Sequence, residues 1–166
     1  LLECEVMHLF VRPGIYVQGV PGLRGKRLNL GAPNSGAAVI AAEILKFIGL
    51  EEGRDYQNAA LDYKALRNVP ASEMPDGVFS LSPLPSPMGE RLVQQYGYRL
   101  MELPCGESLA LRKPYLEEAS IPANTYSVDP PVPDKKARSV GTRAVLIANS
   151  SVSKIAVRRL LKVLYE

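Results

Sequence analysis

The sequence lacks the residues on which most catalytic and metal chemistry depends. Of its 166 residues none is Trp, one is His and two are Cys. A histidine triad or a His-rich metal site would therefore rest on His8 alone, and Cys4 and Cys105 do not form a zinc-binding motif. We expect two unpaired thiols, one of them buried, with a single disulfide as the alternative in an oxidising compartment.

Long apolar runs and a strong charge imbalance are also missing. No run approaches the roughly 20 apolar residues of a bilayer-spanning helix. The 20 basic and 17 acidic residues give a net charge of +3, an excess too small to indicate a nucleic-acid partner. The chain is nevertheless 46% hydrophobic, which is enough to build a core. Because it begins at Leu1, we expect a processed product or a piece of a longer protein whose targeting signal lies upstream.

Strand and helix patterns alternate along the chain. Strands are predicted at residues 6–11, 27–30, 55–61, 77–81, 98–103 and 140–148, and helices at 37–48, 63–67, 87–97, 107–118 and 153–165. Residues 15–25 and 124–138 are predicted to be connections. The alternation predicts a single α/β domain over residues 1–166, with three layers and a mostly parallel mixed sheet between helices.

The helix at 37–48 has the clearest pattern. Its apolar residues recur at i, i+3, i+4, i+7, i+8 and i+11, which is one stripe on a helix. Asn34 or Ser35 can cap its start, and Gly49 lies where a left-handed residue often ends a helix.

Three segments lie where strands end, which is where ligands bind in open parallel sheets. They are the turn at 30–36, the turn at 80–86 and the start of the helix at 63–67. A helix N-terminus offers backbone N–H groups to a carboxylate or phosphate, hydroxyls can line a pocket, and a tyrosine can stack on a ligand. The alternative is structural: caps, a rigid surface loop and a cover for the core. The candidate residues are Asn34, Ser35, Gly36, Tyr63, Ser80 and Ser82.

Other residues give weaker evidence for a functional role. His8 lies mid-strand among apolar residues, so a role in the core is favoured over catalysis. A basic stripe on the last helix, Lys154, Arg158 and Lys162, is typical of a solvated face, with a docking surface as the alternative. No nucleophile or acid/base pair is recognisable, so the sequence indicates binding and not catalysis.

Two segments resemble a known family. Residues 23–36, Leu-Arg-Gly-Lys-Arg-Leu-Asn-Leu-Gly-Ala-Pro-Asn-Ser-Gly, resemble a segment shared by two-lobed periplasmic binding proteins of the type 2 class. Residues 120–126, Ser-Ile-Pro-Ala-Asn-Thr-Tyr, resemble the I-P-A-G-T-Y segment of the TAXI-type solute receptors of TRAP transporters, and 140–148 resembles the strand that follows it there. This sequence departs from the family pattern at Ala37, where Thr is usual, and at Asn124, where Gly is usual.

The resemblance implies the second lobe of a receptor that closes on a small carboxylate-bearing solute, such as an amino acid or organic acid. It implies a first lobe elsewhere in the parent chain, TRAP membrane permease subunits as partners, and a periplasmic or extracytoplasmic location, with a membrane anchor upstream. Neither enzyme activity nor a cofactor is expected. The implied ligand-binding residues are Asn34, Ser35, Gly36, Tyr63, Ser80, Ser82 and Tyr126.

Two other functions remain open at this point. The first is a regulatory or protein-interaction domain on the same lobe, with ligand binding reduced or lost and the basic last helix as a contact surface. The second is an enzyme of the type 2 fold, which the missing acid/base pair disfavours.

Overall fold

The computed structural model describes residues 4–143, 145 and 147–165. In chain order the elements are β1 (Cys4–Val11), α1 (Pro13–Gln18), a 3-10 helix (Val20–Leu23), β2 (Lys26–Asn29), α2 (Gly36–Phe47), β3 (Tyr56–Asn58), α3 (Tyr63–Asn68), a 3-10 turn (Ala71–Glu73), β4 (Gly77–Ser82), α4 (Pro87–Tyr96), β5 (Arg99–Met101), α5 (Gly106–Ala110), β6 (Leu116–Ile121), β7 (Ser127–Val128), β8 (Pro131–Val132), β9 (Ala137–Arg143) and α6 (Lys154–Tyr165).

The main sheet is mixed, and β1 lies at its centre. The strand order is β3-β2-β4-β1-β9-β6. One edge of β1 pairs with β4, while its other edge pairs with β9 over residues 4–6 and with β5 over residues 9–11. β1 and β6 run opposite to the other strands of this sheet. The predicted α/β class with a mostly parallel mixed sheet is confirmed, although the central strand runs against its neighbours.

β1 is buried on both faces because helices cover both sides of the sheet. Its odd-numbered residues, from Met7 to Val11, join a core that contains Ile40 and Ile44 of α2. Its even-numbered apolar residues, Val6 and Phe10, join a second core that contains Leu92 of α4. A strand with two buried faces has a nearly continuous apolar sequence, as β1 has.

The predicted α2 helix is confirmed together with its ends. The Ser35 hydroxyl accepts a hydrogen bond from the Ala38 N–H at 3.2 Å, so Ser35 and not Asn34 is the cap. Gly49 has a φ of +82°, the left-handed conformation expected beyond a helix end. The buried residues of α2 are Ile40, Ala41, Ile44 and Leu45, on the predicted stripe.

The predicted helix at 107–118 is wrong. Helix α5 ends at Ala110, and residues 116–121 form β6, which pairs with β9 along its whole length. Pro114 cannot donate the backbone hydrogen bond that a continuing helix needs. Burial of Leu116 and Ile121 against the two cores favours the extended conformation that reaches β9.

Several predicted boundaries are also corrected. The connection at 15–25 holds most of α1 and a 3-10 helix, and the loop at 124–138 contains the β7–β8 hairpin. The strand at 55–61 shrinks to residues 56–58, and the strand predicted to reach residue 148 ends at Arg143. Residues 144 and 146 of that prediction lie outside the described residues. Both cysteines are free, Cys4 exposed and Cys105 buried, as expected.

Replacing Gly106 with Ala is expected to destabilise the fold. A Cβ there would collide with the Ser139 carbonyl oxygen and lie 3.3 Å from the Glu118 Cα, and these backbone atoms cannot move aside. We expect a loss of about 1–3 kcal/mol in the free energy of unfolding, measured by urea denaturation. Gly14→Ala is the matched control, because its Cβ meets nothing within 4 Å. Equal midpoints for the two variants would contradict the close packing of α5 on β9.

Candidate functional site

Two adjacent cavities form a cleft where β2 and β4 end and β1 begins. The α4 cavity has a volume of about 440 Å³ and the α2 cavity about 260 Å³. They meet at Glu5, Tyr63 and Leu81, which line both. β1 starts at this edge because it is antiparallel to β4, with Val6 opposite Ser82.

The α2 cavity lies against the first turn of α2. Ser35, Gly36 and Ala37 line it, so the positive end of the helix dipole faces the cavity. The rest of the wall is largely apolar, with Leu61 and Phe79. Asn29 fixes the Leu61 backbone at this wall, because its side-chain amide donates to the Leu61 carbonyl at 3.1 Å and its side-chain oxygen accepts from the Leu61 N–H at 2.7 Å.

The α4 cavity combines hydroxyl groups with cationic side chains. Ser80, Ser82 and Ser86 line it, as do the exposed Lys64 and Arg67 of α3. Ser86 caps α4 by accepting a hydrogen bond from the Gly89 N–H at 3.2 Å. The cavity therefore brings together a helix N-terminus, hydroxyls and two positive charges.

A buried hydrogen-bond network lies beneath the α4 cavity. The Ser80 carbonyl can only accept, so His8 donates from Nδ1 to it at 3.1 Å and its unprotonated Nε2 accepts from the Tyr126 hydroxyl at 2.6 Å. The Tyr126 hydroxyl also accepts from the Ser86 N–H at 3.0 Å. We name His8, Tyr63, Ser80, Ser86 and Tyr126 the polar network.

The network reaches the cleft through its hydroxyls. The Ser80 hydroxyl lies 3.2 Å from that of Ser86 and 3.1 Å from that of Tyr63. Ser80 is fully buried, whereas the Tyr63 side chain is half exposed. Hydrogen bonds therefore connect the cleft surface at Tyr63 to His8 on the central strand through Ser80.

Burial keeps this network uncharged. Desolvation lowers the pKa of His8 to about 4, against a smaller opposing effect of its hydrogen bond to Ser80. Desolvation also raises the pKa of Tyr126 to about 12. At neutral pH the imidazole is neutral and the phenol is protonated, which matches the direction of their hydrogen bond.

The predicted site residues occupy different places. Ser35, Gly36, Tyr63, Ser80 and Ser82 line the cleft. Asn34 is exposed, has a φ of +62° and is not among the residues that line the two cavities. Tyr126 is buried beneath the α4 cavity and does not line it. His8 is a hydrogen-bonded core histidine, as predicted.

Sequence reasoning missed Glu5, Lys64 and Arg67, and it included Ser86 in the turn at 80–86 without naming it as a candidate residue. The spacing of Lys64 and Arg67, three residues apart just after Tyr63, places both on one helix face and could have indicated a cationic wall. Ser86 directly precedes Pro87, a common helix start. Glu5 has no local signal, because only the antiparallel pairing of β1 with β4 brings it to the cleft.

Metal ligation and membrane crossing have no support in the described residues. They contain no group of three or more His, Cys, Asp or Glu that could hold a metal ion. None of the helices described is long and apolar enough to cross a membrane.

The architecture is that of a periplasmic-binding-protein-like lobe: a mixed sheet between two helical layers, with a cleft at strand ends beside two helix N-termini. The family model described as the NMT1-like family matches residues 1–166, so the chain belongs to that family. This is a periplasmic-binding-protein-like family related to solute-binding proteins and typically extracytoplasmic. No curated protein matches the chain.

The stability of the protein is expected to fall in mild acid because of His8. The unfolded histidine has a pKa of about 6.5 and the folded one about 4, so below pH 6.5 the unfolded chain binds a proton that the native state does not. The free energy of unfolding should fall by about 1.4 kcal/mol per pH unit between these values, and by about 3 kcal/mol in all. Urea denaturation across this pH range measures the slope.

Two variants test the assignment to His8, the only histidine in the chain. His8→Gln should lose the additional slope between pH 6.5 and 4, whatever its stability at neutral pH. Tyr126→Phe retains the histidine and should keep most of the slope. Parallel pH profiles for the wild type and His8→Gln would show that the imidazole does not govern acid stability.

Proposed function

We propose that the chain is the solute-binding module of a TRAP-TAXI type transport receptor and binds a small carboxylate-bearing solute in the cleft. The observation that carries this proposal is the α4 cavity, where Lys64 and Arg67 lie on the same cavity as the first turn of α4. Cationic side chains and helix N-termini both favour a carboxylate. Membership of the NMT1-like family supports a solute ligand in general, and residues 120–126 favour the TAXI branch.

The cleft supports binding by charge and by pre-ordered hydroxyls. The guanidinium of Arg67 and the ammonium of Lys64 have no ion-pair partner among the residues that the structure describes, so they are available to a ligand. The hydroxyls of Tyr63 and Ser80 are held by the polar network before a ligand arrives, which lowers the entropy cost of binding. Closure of a first lobe over the cleft would exclude water and strengthen these interactions.

The proposed setting rests on the resemblance to TAXI-type receptors. The receptor would work in the periplasm or another extracytoplasmic space, with a first lobe in the parent chain and TRAP permease subunits as membrane partners. No covalent step is proposed. His8 has both ring nitrogens engaged and is fully buried, and no acid/base pair is recognisable in the cleft.

Titration calorimetry of the intact polypeptide with a panel of amino acids and dicarboxylates tests the proposal. The double variant Lys64→Gln/Arg67→Gln should bind the preferred solute at least about tenfold more weakly, because charged hydrogen bonds contribute about 1.5–3 kcal/mol each. Lys46→Gln is the matched control, since Lys46 lies in the last turn of α2 and lines neither cavity. If no carboxylate binds, or if all three proteins bind equally, the cleft is not the solute site.

A second candidate function is a regulatory or protein-interaction domain, and helix α6 favours it. The exposed apolar residues of α6 are Ile155, Leu160, Leu161 and Val163. No α6 residue is among those that form the two cores. Lys154, Arg158 and Lys162 follow one another at four-residue intervals and form the basic face.

Variants on the two faces of α6 distinguish an interface from a solvated helix. If α6 is a contact surface, Leu160→Ser/Leu161→Ser should abolish self-association or partner binding in multi-angle light scattering, while solute binding is retained. Lys154→Gln/Arg158→Gln tests the basic face with a matched number of changes. Unchanged masses for both variants would argue against an interaction role.

The flanking sequence of the parent chain also distinguishes the two functions. An upstream helix-turn-helix or signalling domain would favour regulation, and an upstream first lobe with a secretion signal would favour transport.

A further inference from the structure

Glu5 is a carboxylate placed where the two cavities of the cleft meet. It lies on β1, opposite Thr142 of β9, and its side chain is partly buried. It lines both the α4 and the α2 cavities. Within the described part of the chain, its carboxylate has no hydrogen-bond or ion-pair partner.

The other carboxylate at the cleft is already engaged. Asp62 lines the α2 cavity and caps α3, where it accepts a hydrogen bond from the Ala65 N–H at 2.7 Å. Glu5 has no such structural use. Glu5 borders the space that a ligand would fill, so its carboxylate is open to a cationic group of that ligand.

The cationic side chains of the cleft lie in the α4 cavity, whose lining also includes the apolar residues Leu81 and Met88. Lys64 and Arg67 line the α4 cavity and not the α2 cavity. Glu5 lies at the junction, and the α2 cavity is mainly apolar, with Leu61 and Phe79. A ligand that matches this order has an anionic group, then a cationic group close to it, then an apolar group.

We infer that the solute is a zwitterionic α-amino acid with an apolar side chain and that Glu5 binds its ammonium group. The carboxylate would lie on the Lys64 and Arg67 side, the ammonium at Glu5, and the side chain in the α2 cavity. This inference rests on the proposed function and narrows it, because a simple organic acid has no group for Glu5.

Glu5 would repel carboxylic acids that lack an ammonium group as well as attract compounds that have one. A carboxylic acid without the amino group would bring its negative charge towards Glu5 with nothing to offset the repulsion. Discrimination between two such compounds then depends mainly on one protein side chain. Removing the charge of Glu5 should weaken the binding of the amino acid and leave the binding of the plain acid unchanged or make it tighter.

The test uses pairs of compounds that differ only in the amino group. Leucine is compared with 4-methylpentanoate, and glutamate with glutarate, by titration calorimetry of the wild type, Glu5→Gln and Glu107→Gln. We expect the wild type to prefer leucine over 4-methylpentanoate by at least about tenfold. Glu5→Gln should lose most of that preference, whereas Glu107→Gln should keep it, because Glu107 is an exposed carboxylate that lines neither cavity.

The possible outcomes separate this inference from the proposed function. If the wild type binds both members of each pair equally and Glu5→Gln changes neither, carboxylate binding stands and the role of Glu5 is wrong. If glutamate binds tighter than leucine and Glu5→Gln removes the preference for the amino compound, the assignment of an apolar side chain to the solute is wrong. The assignment of its ammonium group to Glu5 is then right. If none of the four compounds binds but another carboxylate of the panel does, the inference is overturned and the proposed function stands. If no carboxylate binds, both are overturned. Circular dichroism confirms that each variant is folded.

Discussion

The hydrogen bond between the neutral imidazole of His8 and the Tyr126 hydroxyl is the contact on which the cleft depends. It joins the central strand to a segment 118 residues further along the chain. The same Tyr126 hydroxyl also accepts a hydrogen bond from the Ser86 N–H, and Ser86 caps α4. An unpaired polar group in this core would carry a full desolvation cost. The positions of His8, Tyr126 and Ser86 are therefore constrained together. The position of the α4 cavity is thus tied to a contact on a buried face of the sheet as well as to its own surface residues.

This arrangement divides the cleft into a fixed floor and adaptable walls. The floor residues Ser80 and Ser86 are buried and hydrogen-bonded to one another. The wall residues Lys64 and Arg67 are exposed and extend from the short helix α3. A pre-ordered floor can orient a ligand at little entropy cost, while the long side chains of the walls can adjust to that ligand. Tyr63 connects the two parts, since its half-exposed ring belongs to the wall and its hydroxyl contacts Ser80.

The features that could be predicted from the sequence are those that depend on interactions between residues close together in the chain. Helix α2 was predictable because its apolar stripe and its Ser35 cap are local signals. β6 was not, since its strand conformation depends on pairing with β9, some twenty residues away, and the local pattern around Pro114 also suits a broken helix. The rule that ligands bind at strand ends led to Tyr63, Ser80 and Ser82. It could not lead to Glu5, whose place depends on an antiparallel central strand that sequence alternation does not reveal.

The pairing of Cys4 with Arg143 has an architectural consequence. These residues lie directly opposite one another at the start of β1 and the end of β9, where paired residues of neighbouring strands are about 5 Å apart. The two strand ends therefore form one junction beside the cleft, because Glu5, the next residue of β1, lines both cavities. A pull or a twist applied to either chain segment at this junction would reach the other segment directly, one residue away from the cleft.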